Sequence, residues 1–200
     1  IPVKMKVFAW NAKRVKDIGI KIAKVANRAD FNWAFNLVQS DEVNAFCLPG
    51  GKVVVYTGIL KVAHNDDQLA TVIAHEIAHA LARHGAERMS ASMVQQGLQV
   101  VGNIALGATA PQYQNLFNQT YGIGSQVGVM LPYGRMQESE ADEIGIYLMA
   151  KAGYNPNEAI KFWENMSEGK KEGSDFLSTH PSSTTRINDL KIIISKLPRS

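Results

Sequence analysis

Two hundred residues, 46% of them hydrophobic, are enough to bury a sizeable core. A net charge of +3 and a pI near 8.9 are too mild for a nucleic-acid footprint and are compatible with an anionic membrane surface. The single cysteine, Cys47, excludes an intrachain disulfide and a cysteine-built metal cluster, so a metal here needs His and carboxylate ligands.

Ile1 is not an initiating methionine, which reads as a processed or trimmed chain. No run of about 18 apolar residues occurs, so no transmembrane helix is expected. With no internal repeat and no linker, residues 1–200 read as a single domain. Across residues 11–29, Val15, Ile18, Ile22, Val25 and Ala29 recur at helical spacing, while Lys13, Lys16, Lys21 and Lys24 lie largely off that stripe. This predicts a covering helix with a solvated basic face.

The period changes over residues 33–57. Trp33 to Val38 alternates like a strand, as does Val43 to Leu48; Pro49-Gly50-Gly51 then turns the chain, and Lys52 to Thr57 runs back. The expectation is a small antiparallel sheet. Cys47 reads as a small core hydrophobe. Asn44 is unexpected inside a strand and reads as an edge residue facing water.

Asn65-Asp66-Asp67-Gln68 has the pattern of a capped helix start, and the helix is expected over 66–84. It carries His75-Glu76-Ile77-Ala78-His79. Two histidines four apart share one helix face and can converge on a zinc ion at roughly 2.0–2.1 Å each. Glu76 lies about 100° round the helix, placed to take a proton from a metal-bound water rather than to bind the metal. His84 falls one residue short of the extended motif HExxHxxGxxH and has no preceding glycine, so it reads as a surface or capping residue. From residue 86 the chain is helical in style, then glycine-rich from Gly97 to Gly134, which fits either a loose helical hairpin or a mobile apolar flap.

Residues 135–152 form an acidic helix start with Glu138, Glu140, Asp142 and Glu143. His75 and His79 need a third protein ligand, and Glu138 is a candidate. Asp142, one turn on, is placed to receive the free N–H of a ligating imidazole. Asn155-Pro156-Asn157-Glu158 opens another helix, and Ile187, Leu190, Ile193, Ile194 and Leu197 mark a last one. His180, in a polar loop before Pro181, reads as a surface histidine.

Taken together, these residues resemble the HtpX, Oma-type and BepA-type family of zinc metalloendopeptidases, whose membrane-embedded relatives are CAAX prenyl proteases. The resemblance runs from about Val43 to Leu197 and rests on Asn44-Ala45-Phe46, Pro49-Gly50-Gly51, HEIAH through Arg83-His84, Leu131-Pro132-Tyr133-Gly134-Arg135, ExEAD at Glu138 to Asp142, Thr179-His180-Pro181 and Arg186-Ile187. It implies an α+β, zincin-like metalloprotease domain, mostly helical, with the small sheet beside the HExxH helix. It also implies one Zn2+ per chain, held by His75, His79 and Glu138 rather than Glu140, with Asp142 behind them and Glu76 as the catalytic base. Asn44, Ala45 and Phe46 correspond to an edge strand that pairs with an extended substrate. His180 corresponds to a histidine that some relatives place on the zinc as a fourth ligand. Arg186 and Tyr133 are candidate donors to the oxyanion. The expected partners are polypeptide substrates, with a membrane surface or envelope assembly proteins beside them and no nucleic acid. The expected setting is the bacterial cell envelope or periplasm, ahead of a mitochondrial one. The rival reading is a protein-binding or chaperone-like module with structural zinc, which has no use for the base Glu76.

Overall fold

The computed structural model describes residues 2–48, 50–84, 133–168, 175–181 and 184–198. Helix α1 (Val3–Ala26) begins earlier than the stripe at 11–29; it buries Val15, Ile18 and Ile22 and turns its lysines outward. Asn27, in the left-handed conformation at φ 50°, ends it. Gly19 lets the sheet dock on this helix, because a Cβ there would lie 2.2 Å from the ring of Phe35.

The sheet contains β1 (Ala34–Val38), β2 (Ala45–Leu48) and β3 (Lys52–Tyr56), in the order β1-β3-β2. The β2–β3 hairpin is antiparallel, and its turn needs Gly50 and Gly51 at φ 84° and 92°. Strand β1 instead runs parallel to β3, with Phe35 opposite Val53. The sheet is therefore mixed, not antiparallel throughout as expected. Alternation reports which face a residue takes but not which neighbour its strand pairs with. Here the link after β1 is pinned at the far end of β3: the Thr57 hydroxyl donates to the Ser40 carbonyl at 2.7 Å, and Gly58 N–H donates to the same oxygen at 2.9 Å.

After a short 3-10 turn (Thr57–Lys61) comes α2 (Asp66–Leu81), in which every residue from Gln68 to His79 is buried. Asn65 caps it, its side chain accepting the Gln68 N–H at 2.8 Å, a contact worth about 1 kcal/mol against alanine. The helix stops at Leu81, short of the expected 84, because Arg83 adopts φ 58° and reverses the chain. The other helices among the described residues are α3 (Arg135–Lys151), α4 (Glu158–Glu168), α5 (Asp175–Thr179) and α6 (Thr184–Ser195). Helix α3 crosses α2 closely at Gly145, where a Cβ would lie 3.3 Å from the backbone of Ala74 and His75. That approach sets the acidic start of α3 against the two histidines. Phe162, Trp163 and Met166 of α4 and Leu190 of α6 complete the core. No described helix is long and apolar enough to cross a membrane.

The start of α4 is tied to the start of α2 by one carboxylate. Glu158 accepts from Asn65 Nδ2 at 3.0 Å, Gln68 Nε2 at 2.9 Å and Lys161 Nζ at 2.6 Å. These bonds, the Asn65 one foremost, lower its pKa from 4.5 to about 2. The stabilisation is full above the unfolded value and is lost as pH falls through the folded one. Glu158→Gln is expected to lower Tm at pH 7 by about 2–4 °C. The gap between variant and parent should shrink from about pH 4.5 down to about 2 in thermal melts. A gap that persists unchanged at acid pH would disprove the assignment.

Candidate metal centre

Helix α2 places His75 and His79 one turn apart on the face toward α3, both fully enclosed. The outer nitrogens are fixed by partners. His75 Nδ1 lies 3.1 Å from Asp142 Oδ1, and a carboxylate can only accept, so His75 carries its proton on Nδ1. His180 Nδ1 lies 2.9 Å from Thr179 Oγ1, whose hydroxyl donates to the Phe176 carbonyl at 3.2 Å. His180 therefore donates from Nδ1 as well. In each ring, when neutral, Nε2 is the nitrogen that carries the lone pair and points inward.

These lone pairs meet each other and a carboxylate. His79 Nε2 is 3.0 Å from His75 Nε2 and 3.1 Å from Glu138 Oε1, and His75 Nε2 is 3.4 Å from Glu138 Oε2. His180 Nε2 is buried, lies 3.2 Å from Glu76 Oε1 and makes no hydrogen bond among the described residues. One ligand atom from each of His75, His79, Glu138 and His180 lies within 4.8 Å of all the others. A tetrahedral ion with arms of 2.0–2.2 Å separates its donors by about 3.3–3.6 Å. Donor chemistry and spacing thus both suit a metal cation.

The electrostatics point the same way. Burial opposes a charge on His75, but the Glu138 and Asp142 carboxylates outweigh it and raise its pKa to about 9. Burial also opposes the Glu138 anion, which His75 and Arg186 nonetheless hold well below the usual carboxylate range. Burial drives His79 down to about 3 and His180 well below its ordinary value. The centre attracts positive charge while denying protons to two of its three imidazoles. A metal ion satisfies both conditions.

Arg186 is held at the centre by carboxylates and a backbone carbonyl. Its guanidinium donates to Asp142, with Nη2 to Oδ1 at 2.7 Å, and to the Pro181 carbonyl at 3.1 Å. It also pairs with Glu138 and lies 3.8 Å above the Trp163 ring. Tyr133 stacks on His79 with ring centres 3.7 Å apart, and Phe176 stacks on His180 at 4.3 Å. Tyr133 lies in a motif read from the sequence, but its stacking role and that of Phe176 were not foreseen there. His84 is not the surface residue expected from sequence. It is 2% exposed, with Nδ1 2.9 Å from His79 Nδ1 and Nε2 3.0 Å from Glu140 Oε2. The only sign in the sequence was an uncompensated histidine just past a helix end.

Ala45 and Phe46 lie in β2, one of the two outer strands of the sheet among the described residues, and β2 packs beside α2. Asn44 precedes the strand rather than lying within it. Its Oδ1 accepts the Ala45 N–H at 2.9 Å, and its carbonyl accepts the Tyr56 N–H at 3.0 Å. Cys47 is a free thiol whose pKa burial pushes up, keeping it protonated, as a packing role requires. Most of the glycine-rich flap expected between Gly97 and Gly134 lies outside the described residues; Gly134 itself caps α3, its N–H donating to Gln137 Oε1 at 3.2 Å.

The sequence model of peptidase family M48 matches residues 9–194. The chain belongs to peptidase family M48. Among curated M48-like proteins, the mitochondrial metalloendopeptidase OMA1 of Schizosaccharomyces pombe is 37% identical over 174 residues, covering 86% of this chain and 49% of that protein. The mitochondrial metalloendopeptidase OMA1 of Arabidopsis thaliana is 37% identical over 88% of this chain and 35% of its own length. The beta-barrel assembly-enhancing protease of Escherichia coli is 31% identical over 88% of this chain and 37% of its own. The chain thus spans half or less of the relatives it matches. The bacterial-envelope placement expected from sequence is overturned, because relatives at 34–39% identity from yeasts, a plant and cattle bear mitochondrial names.

Proposed function

We propose that this chain is the proteolytic part of a zinc-dependent endopeptidase acting on unfolded or membrane-associated polypeptides in the mitochondrion. The observation that carries the proposal is the convergence of imidazole lone pairs and the Glu138 carboxylate beside a second buried carboxylate, Glu76. The compartment is inferred from the names of the relatives.

His75, His79 and Glu138 would hold the zinc, and Asp142 keeps His75 in the tautomer that leaves Nε2 for the metal by accepting its Nδ1–H. When bound, zinc supplies Lewis acidity that polarises a peptide carbonyl and acidifies a water. Glu76 accepts the proton of the attacking water on its carboxylate and passes it to the leaving amide nitrogen. Its burial within α2 keeps bulk water from competing for that proton. Strand β2, entered through Asn44 and carrying Ala45 and Phe46, pairs by backbone hydrogen bonds with the extended substrate. His180, stacked on Phe176, would serve as a fourth ligand.

Zinc-dependent cleavage of unfolded casein is the test. Activity should vanish with a chelator and return with one equivalent of zinc. Casein binding without cleavage by the zinc-loaded protein would favour the binding-module reading instead. Two further outcomes follow. Fragments from several unfolded proteins should show many cleavage sites, because backbone pairing selects shape more than sequence; one strict motif would count against β2 as the substrate strand. His180→Ala should keep its zinc and cleave casein several-fold faster, since the resting centre is then open. An unchanged or lower rate with zinc retained would remove His180 from the metal.

A further inference from the structure

His79 is held on two sides, and its outer nitrogen leads away from the centre along a route the hydrolytic mechanism does not use. Nδ1 of His79 meets Nδ1 of His84 at 2.9 Å, and Nε2 of His84 meets Oε2 of Glu140 at 3.0 Å. His84 comes within reach because the left-handed Arg83 reverses the chain directly after α2. It is 2% exposed, whereas the Glu140 side chain is 58% exposed.

The protons on this route can be assigned one by one. A neutral imidazole carries one N–H, and a carboxylate only accepts. Glu140 therefore fixes the His84 proton on Nε2, leaving Nδ1 of His84 as an acceptor. His79 must then donate from its own Nδ1, and its Nε2 is left bare toward His75 and Glu138. If His84 reversed its tautomer, two N–H groups would oppose each other at 2.9 Å, or the His79 proton would move to Nε2 and occupy the ligand position. An exposed carboxylate thus governs a buried nitrogen two rings away.

We propose that His84 and Glu140 form a positioning relay that holds His79 in its metal-binding tautomer and orientation. The relay rests on the reading of His79 as a metal ligand. It does for His79 what Asp142 does for His75, while the stacked Tyr133 fixes the plane of the same ring. Neither His84 nor Glu140 touches substrate, so both are positioning residues.

The test measures zinc Kd by competition with a chromogenic chelator, on the full chain, together with thermal melting of the metal-free protein. In His84→Asn the side-chain oxygen takes the place of Nδ1 and can accept from His79. In His84→Gln the amide sits near the Nε2 position, and His84→Phe fills the volume with no acceptor. His84→Phe and His84→Gln should weaken zinc binding by about 10–100-fold, and His84→Asn should recover most of it. Glu140→Ala, a change at an exposed side chain, should also weaken binding, with the metal-free melt unchanged. Zinc binding as tight as the parent's in His84→Phe or Glu140→Ala overturns the relay, as does an equal loss in His84→Asn and His84→Phe. His79→Ala separates the two levels. If it binds zinc like the parent, the metal-centre reading itself fails; if it loses zinc while His84→Phe does not, only the relay fails.

Discussion

Glu138→Gln is expected to weaken zinc binding by at least ~100-fold and to abolish peptidase activity at ordinary zinc concentrations. Removing an outer partner of a metal ligand costs about 10–100-fold, and Glu138 is the proposed ligand itself, the one that brings negative charge. The substitution keeps the shape and removes the charge that His75, His79 and Arg186 share. It also leaves the Arg186 guanidinium enclosed with one carboxylate fewer, Asp142 being retained. Breaking a buried ion pair costs about 3–5 kcal/mol, so the metal-free variant should also melt below the parent. Metal analysis after gel filtration, with a melting curve, checks both effects. If Glu138→Gln retains zinc and activity while Glu140→Gln loses both, the ligand is Glu140.

Glu76→Gln should behave in the opposite way. Zinc content should be that of the parent, while casein cleavage should fall by about 10²–10⁴-fold, the usual contribution of a positioned acid–base group. Glutamine fills the same space in α2 but cannot accept a proton from water. The pair of variants therefore separates holding the metal from using it. Activity within tenfold of the parent would mean that Glu76 is not the base and that another group moves the proton.

Which parts of this could be read from the chain follows from the range of the interactions. The helix carrying His75, Glu76 and His79 was legible because its logic is local: an Asn65 cap, an apolar run and a four-residue spacing. The Gly50-Gly51 turn was legible for the same reason. The direction of β1 was not, because it depends on Ser40 meeting Thr57, a contact between side-chain and backbone atoms 17 residues apart. Glu138, 59 residues from His79, was one candidate among several acidic residues, and resemblance to a family singled it out over Glu140; its neighbours Glu140 and Asp142 are equally acidic, and the crossing at Gly145 distinguishes them. That crossing buries Glu138 and Asp142 and leaves Glu140 largely in solvent. His84 was misread because a histidine after a helix end is usually solvated, and only the reversal at Arg83 turns it inward. The compartment was misjudged because a metal centre of this kind has the same chemistry on either side of any membrane.

Zinc K-edge X-ray absorption on the purified, zinc-reconstituted chain tests the metal centre most directly, because it counts the ligands around the ion. A centre built from His75, His79, Glu138 and His180 gives one zinc per chain, nitrogen and oxygen ligands only, three imidazoles in the parent and two in His180→Ala. Zinc that stays sub-stoichiometric after reconstitution, or a parent spectrum with fewer than three imidazoles, would contradict it.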